Sequence, residues 1–291
     1  MKITEIFQKN QQTLSFEVFP PKNSDAFEKV EKATGEIAKL QPDFMSVTYG
    51  AGGGTSKYTT AIASNIDKSG VTALAHLTCV SSTKEKIDTQ IATLRENGIE
   101  NILALRGDLP QGVSDTSEWE FRHANELVEE IKKQGDFCVG GACYPEVHPE
   151  SANSREDILN LKRKVDAGCE FLTTQMFFDN NIFYNYMYKI REAGIAVPIV
   201  AGIMPVTNAK QMEKIIQLSQ AFIPRRYVSL LDRYSNRPEA LKQAAIAYAT
   251  DQIIDLLSNG IEHIHIYTMN KPDVAAKIQN NLSEIIPSCK K

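Results

Sequence analysis

No stretch of this chain approaches the roughly 18 apolar residues that a membrane-spanning helix requires. Residues 1–10 are polar and carry no apolar centre of a secretion signal, so the expected location is the cytoplasm. An excess of positive charge is also missing: 32 Lys and Arg against 36 Asp and Glu leave a formal net charge of −4. Nucleic acid and anionic membranes are therefore not expected partners, and any anionic ligand must be held by local cations. The five cysteines (Cys79, Cys138, Cys143, Cys169 and Cys289) form no CxxC pair and no zinc-like grouping. Four of them lie in or beside apolar runs and Cys289 in the polar C-terminal stretch, a usage that reads as reduced, buried thiols. A GxGxxG turn of the dinucleotide-binding type is absent too. No linker, repeat or low-complexity segment interrupts residues 1–291, so one domain is expected.

With 42% hydrophobic and 23% charged residues, the chain has the composition of a globular protein with a sizeable core. Eight short runs rich in Val, Ile, Phe and Ala occur at 14–19, 44–48, 72–78, 101–106, 137–143, 171–175, 198–203 and 263–268. Several are apolar on both faces, as strands of a parallel sheet covered on both sides must be. Helical periodicity lies between them. Residues 26–40 repeat Phe27, Val30, Ile37 and Leu40, and 84–97 repeat Ile87, Ile91 and Leu94 before a stop at Gly98. Residues 154–167 open on Ser154 as cap, place Asp157 in the first turn, bury Ile158, Leu161 and Val165, and stop at Gly168. The long connection from Met204 to Glu262 contains a helix after Pro205, an irregular stretch at 223–226 and a helix ending near Leu257. Eight strands alternating with helices predict an α/β fold, a (β/α)8 or TIM barrel, with a short helix at 4–9 outside the barrel.

Such barrels carry chemistry at the C-terminal ends of their strands, and two of these ends hold a carboxylate. Glu17 sits in an apolar strand, where an anion is costly to bury. It is either a structural carboxylate that is neutral or paired, or a functional group with a raised pKa. Asp108 follows Arg106 and Gly107, and either closes an internal salt bridge or faces a cationic ligand beside a backbone that Gly107 lets approach. The glycine-rich loop 50–54 is either a phosphate cradle or a lid. His76 alone in a strand reads as a core residue. His263 and His265 share a strand face, but no third ligand is spaced for a metal, so none is expected. Tyr144, Glu146, His148 and Glu150 crowd one loop after the fifth strand, which marks that loop as functional. Lys162, Arg163 and Lys164 form either a solvated face or a source of cations for a phosphate.

Taken together, seven stretches in order resemble the methylenetetrahydrofolate reductase family. They include Ser15-Phe16-Glu17-Val18-Phe19-Pro20-Pro21-Lys22, Ala104-Leu105-Arg106-Gly107-Asp108-Leu109-Pro110 and Tyr144-Pro145-Glu146-Val147-His148-Pro149. The others are 46–51, 76–79, 160–168 and 174–179. The resemblance covers nearly the whole chain and leaves no length for the regulatory domain of longer relatives, so a bacterial-type catalytic domain is expected. It implies FAD as cofactor, NADH or NADPH as electron donor, and alternating use of one site to reduce 5,10-methylenetetrahydrofolate to 5-methyltetrahydrofolate, the methyl source for methionine synthesis. A homo-oligomer is implied as well.

By the same resemblance, Glu17 matches the general acid that opens the folate ring. Asp108 matches the carboxylate near flavin and folate that stabilises a cationic iminium, and its charge beside Glu17 is expected to favour a proton on Glu17. Thr48, Tyr49, Ala51 and His76 match flavin-lining positions of the second and third strand ends. Arg106, Gly107 and Asp108 do so at the fourth, Ala124 on the following helix, and Tyr144 and His148 after the fifth strand. Asp157, Asn160, Arg163 and Lys164 complete the flavin set. Glu17, Thr48, Asp108, Gln175, Gln211 and Lys271 match substrate-binding positions. Lys271 stands where some relatives have arginine, and Ile215 where some have an aromatic. Two other readings stay open on the residues alone: a flavin-binding subunit of a larger redox complex, and a flavin-free pterin-dependent methyl transferase.

Overall fold

Alternation of side chains along each strand divides the eight apolar runs into an outward and an inward set. On β1 (Thr13–Val18), Leu14, Phe16 and Val18 pack into the main apolar core beneath the helices, which leaves Thr13, Ser15 and Glu17 to the other face. The computed structural model describes residues 1–21, 23–49, 56–109, 119–208, 212, 215 and 221–289. Seven further strands follow: β2 (Phe44–Val47), β3 (Thr72–Thr78), β4 (Asn101–Leu105), β5 (Cys138–Cys143), β6 (Phe171–Thr174), β7 (Ile199–Ile203) and β8 (His263–Tyr267). They pair in parallel in that order and β8 returns to β1, closing a barrel. Every predicted strand is present, with ends within one residue of those expected.

Ten described helices surround or cap this barrel: α1 (Ile3–Lys9), α2 (Phe27–Ala38), α3 (Ser56–Lys68), α4 (Lys84–Glu96), α5 (Ala124–Gln134), α6 (Ser154–Asp166), α7 (Asn180–Glu192), α8 (Arg225–Tyr234), α9 (Pro238–Ser258) and α10 (Pro272–Asn281). The α4 helix begins on the Thr83 cap, and Gly98 follows it at φ +76°, a left-handed position that favours glycine. Two expectations need correction. The cap of α6 is Asn153, whose side chain accepts from the Glu156 N–H, so Ser154 is already helical; of Ile158, Leu161 and Val165 only Leu161 is buried. Residues 223–226 are not simply irregular, because Pro224 ends an extended segment and α8 starts at Arg225. Proline lacks the N–H that a helix interior would use, so it is tolerated at a helix entrance, as Pro238 is at the start of α9. Much of the helix expected after Pro205 falls outside the described residues.

The α1 helix lies outside the strand–helix alternation and covers the N-terminal end of the barrel. Ile3 and Ile6 join Phe44, Leu74, Leu103, Cys138, Phe171 and Val200 in one apolar cluster. Phe7 stacks on His263 with ring centroids 4.0 Å apart and meets Phe171 edge-on at 5.7 Å. The Ile3 N–H donates to Asn101 Oδ1 at 2.9 Å, so this polar strand residue is satisfied by the plug. The five cysteines are all free and buried, including Cys289. No described helix is long and apolar enough to cross a membrane.

Candidate active site

The faces of β1 and β8 turned away from the outer core carry Thr13, Ser15, Glu17, His263, His265 and Tyr267, and Ser46 on β2 and His76 on β3 join them. Parallel register places Glu17 beside Ser46 on β2 and Tyr267 on β8, and Ser15 beside His265. Glu17 is 6% exposed. Its Oε2 accepts from the Ser46 hydroxyl at 3.3 Å and lies 3.5 Å from His76 Nε2 and 3.8 Å from His265 Nε2. Its carbonyl accepts from Thr268 Oγ1 at 2.6 Å. One strand exit away, Asn270 grips Phe19 in both directions, at 2.8 Å to its N–H and 2.9 Å to its carbonyl. The β8 exit therefore clamps the β1 exit and holds the carboxylate that β1 presents. The apolar surroundings expected for Glu17 are replaced by one hydroxyl and two imidazoles.

Burial pushes the His76 imidazole down to about 4, against a smaller upward pull from Glu17, so it is neutral at physiological pH. Its Nε2 is buried without a hydrogen-bond partner. His263 is also pushed down to about 4 by burial. Both values lie below the ordinary 6.5, so the unfolded chain takes up protons that the native state refuses as pH falls from about 6.5 to about 4. Stability should fall across that window, by at most about 1.4 kcal/mol per pH unit for each group. Urea unfolding at pH 7.5 and pH 5 checks this, and an unchanged midpoint would contradict it.

A second group of side chains gathers at the ends of β4 and β5. Arg106 makes a two-pronged ion pair with Glu150, whose carboxyl it holds below the usual range, and its Nη2 reaches Glu150 Oε1 at 2.5 Å. Gly107 follows at φ +91°, and a Cβ there would meet Val80 Cγ1 at 2.7 Å, so glycine alone fits. Asp108 is exposed, and burial, with a smaller push from the Asp108 charge, raises the Tyr144 phenol to about 12. The Tyr144 ring meets that of His148 edge-on, with centroids 4.6 Å apart. His148 Nδ1 accepts the Glu150 N–H at 3.1 Å, and burial lowers its pKa. Asp157 on α6 accepts from Ser151 Oγ at 3.1 Å, and desolvation raises its pKa. Lys164 reaches down to the Ala142 carbonyl at 2.6 Å, while Arg163 lies exposed and bonds Asn160 Oδ1 at 3.0 Å. Lys162 pairs with Asp166, away from the Ala142 carbonyl that holds Lys164.

The other expected positions lie around the same mouth. Thr48 follows β2 and its carbonyl accepts from Thr59 at 3.0 Å. Tyr49 packs partly buried against the core, and Ala124 opens α5. Gln175 follows β6, its Oε1 accepting from the Met176 N–H at 3.0 Å. Lys271 donates to Thr207 Oγ1 at 2.5 Å, and burial lowers its pKa. Ile215 is buried in an apolar cluster with Phe178 and Tyr227. Ala51 and Gln211 lie outside the described residues. The interactions of Glu17 involve Ser46, His76, His265 and Tyr267, and those of Asp108 involve Tyr144, so the expected pairing of the two carboxylates is not among the described contacts. Ser15 and Ser46 were given no role by the sequence, His265 was weighed only as a metal ligand, and Glu150 entered only as a member of the functional loop. A period-two run of polar residues at Thr13, Ser15 and Glu17, matched at His263, His265 and Tyr267, was the available signal.

Comparison with known proteins bears on this arrangement. The family model for methylenetetrahydrofolate reductase matches residues 2–283. The 5,10-methylenetetrahydrofolate reductase of Pectobacterium carotovorum is 37% identical over 272 residues, covering 92% of this chain and 89% of that protein. The Escherichia coli K12 protein of the same name is 37% identical over 270 residues, covering 92% and 90%. Methylenetetrahydrofolate reductase (NADH) 1 of Arabidopsis thaliana is 37% identical over 298 residues, covering 98% of this chain but 50% of that one. Among solved structures, an uncharacterised Clostridium thermocellum protein described as binding two copies of 5-methyl-5,6,7,8-tetrahydrofolic acid superimposes with a TM-score of 0.65 over 97% of this chain and 98% of that one. At 15% identity it shows a shared fold.

Proposed function

The chain belongs to the methylenetetrahydrofolate reductase family, and from that premise we propose that it reduces 5,10-methylenetetrahydrofolate to 5-methyltetrahydrofolate, using FAD and a nicotinamide donor in alternation at one site. The observation that carries the reading is Glu17, a buried carboxylate fixed at the barrel mouth by hydrogen bonds to its own backbone and side chain. An acid held there is placed to protonate a nitrogen of a bound pterin.

The residues present fit a flavin. His76 Nε2 is a buried polar atom awaiting a partner, and the Gly107 backbone offers a surface that a Cβ would obstruct. FAD, when bound, supplies two-electron transfer between nicotinamide and folate. Tyr144 and His148 would flank it, while Arg106, Arg163 and Lys164 would face its diphosphate. Arg106 is neutralised by Glu150, so Glu150 must yield or share the guanidinium. The Glu17 side acts on folate, and the exposed Asp108 carboxylate faces the cationic form of that substrate. Either NADH or NADPH serves as donor, and the name of the Arabidopsis relative carries NADH. We place the enzyme in the cytoplasm.

The test is anaerobic. The purified protein should bind FAD, and NADH or NADPH should bleach it without any partner protein. Glu150→Gln should tighten FAD a few-fold, the scale of an exposed ion pair worth at most about 1 kcal/mol. Failure to take up flavin would sink the reading, and bleaching only with a second protein would make the chain a subunit.

A further inference from the structure

Behind Glu17 the polar lining of the barrel forms a chain whose protons can be counted. Ser15 Oγ donates to the Ile264 carbonyl at 3.0 Å and lies 2.7 Å from His265 Nδ1. A hydroxyl has one proton. With that proton on the carbonyl, Nδ1 carries its own and donates to Ser15. His265 Nε2 then faces Ser46 Oγ at 3.1 Å, and Ser46 Oγ lies 3.3 Å from Glu17 Oε2. Ser46 likewise has one proton to give.

Two arrangements satisfy every atom of this chain. In the first, Glu17 is protonated and donates to Ser46, which donates to a bare Nε2 on a neutral His265. In the second, Ser46 donates to the Glu17 carboxylate and receives from Nε2–H of an imidazolium. They differ by the shift of two protons, Oε2 to Ser46 Oγ and Ser46 Oγ to Nε2. The number of protons and the net charge are the same in both. We propose that His265 is a positioning residue which, through Ser46, holds the proton that Glu17 delivers to the substrate. This rests on Glu17 being the acid.

The surroundings leave the pair largely to itself. Among the described residues, His76 from β3, at 3.5 Å, and Tyr267 from β8 are the other ionisable groups against Glu17. Tyr267 on β8 directs its hydroxyl to the Thr174 carbonyl at 2.6 Å. From β2, Phe44 stacks on His265 at 5.9 Å and brings no charge. One layer below, His263 is engaged by Thr13 Oγ1 at 3.1 Å. Two sites for one proton bind it more tightly than either alone, because the macroscopic affinity sums both arrangements. Cutting the link should therefore empty Glu17 at a lower pH.

Single-turnover folate reduction, followed against pH on the flavin-loaded enzyme, reads this. In Ser46→Ala and His265→Asn the alkaline limb should move to lower pH, by about 0.3 unit if the two arrangements are equally populated and by more if the imidazolium form dominates. Ser46→Thr should restore it, and the pH profile of flavin reduction should not move. Nitrogen-15 NMR of the five histidines gives a readout independent of flavin. His265 Nδ1 should stay protonated throughout, and Nε2 should report partial protonation that Glu17→Gln removes. An unmoved limb in both variants, or a bare Nδ1, would overturn the relay. If Glu17→Gln itself reduced folate at close to the wild-type rate, the acid assignment would fail instead.

Discussion

Glu17→Gln should slow folate reduction by roughly 10²–10⁴-fold, the usual range for loss of a general acid. FAD should remain bound and reducible by the nicotinamide donor, since that hydride transfer needs no proton from Glu17. The contrast between the half-reactions matters more than the total loss. Glutamine keeps the size and the acceptor oxygen, so the contact to Ser46 and the clamp from Thr268 on the backbone survive. Stopped-flow measurement of each half-reaction separates the outcomes. Comparable loss in both would mean a disturbed barrel mouth, and little loss in either would make Glu17 a structural carboxylate.

Asp108→Asn should reduce the folate half-reaction by roughly 10²–10³-fold, equivalent to the loss of one electrostatic interaction worth about 3–4 kcal/mol in a closed site. The residue is exposed in the free protein, so an effect of that size requires the bound ligands to exclude water around it. Ionic strength is an additional control. If Asp108 acted only as a solvated surface charge, the Asn variant would lose little, and added salt would erase the difference. Equal impairment of both half-reactions would place its role in holding the flavin.

The fold was legible because strands covered on both faces are short apolar runs, and their ends came out within one residue. Glu17 and Asp108 stood out by the same contrast, a carboxylate where an apolar or turn residue was due. The wiring behind Glu17 was not legible. Ser46 and His265 lie 29 and 248 residues from it along the chain, and strand register alone brings them to the same carboxylate. His263 and His265 illustrate the point, since their spacing poses a metal question that Thr13, Ser15 and Ser46 answer with hydrogen bonds. The exposure of Asp108 was not legible for a similar reason. A strand end says where a side chain emerges, and the loops around it decide how much water it meets.

The α1 plug makes the barrel a vessel with one opening. With Ile3, Ile6 and Phe7 seated across its floor, the chain from Glu17 to Ser15 ends, among the described residues, above an apolar stopper. Met1 is exposed just ahead of the buried Ile3, so the chain enters this stopper from solvent, at the end of the barrel farthest from the carboxylates.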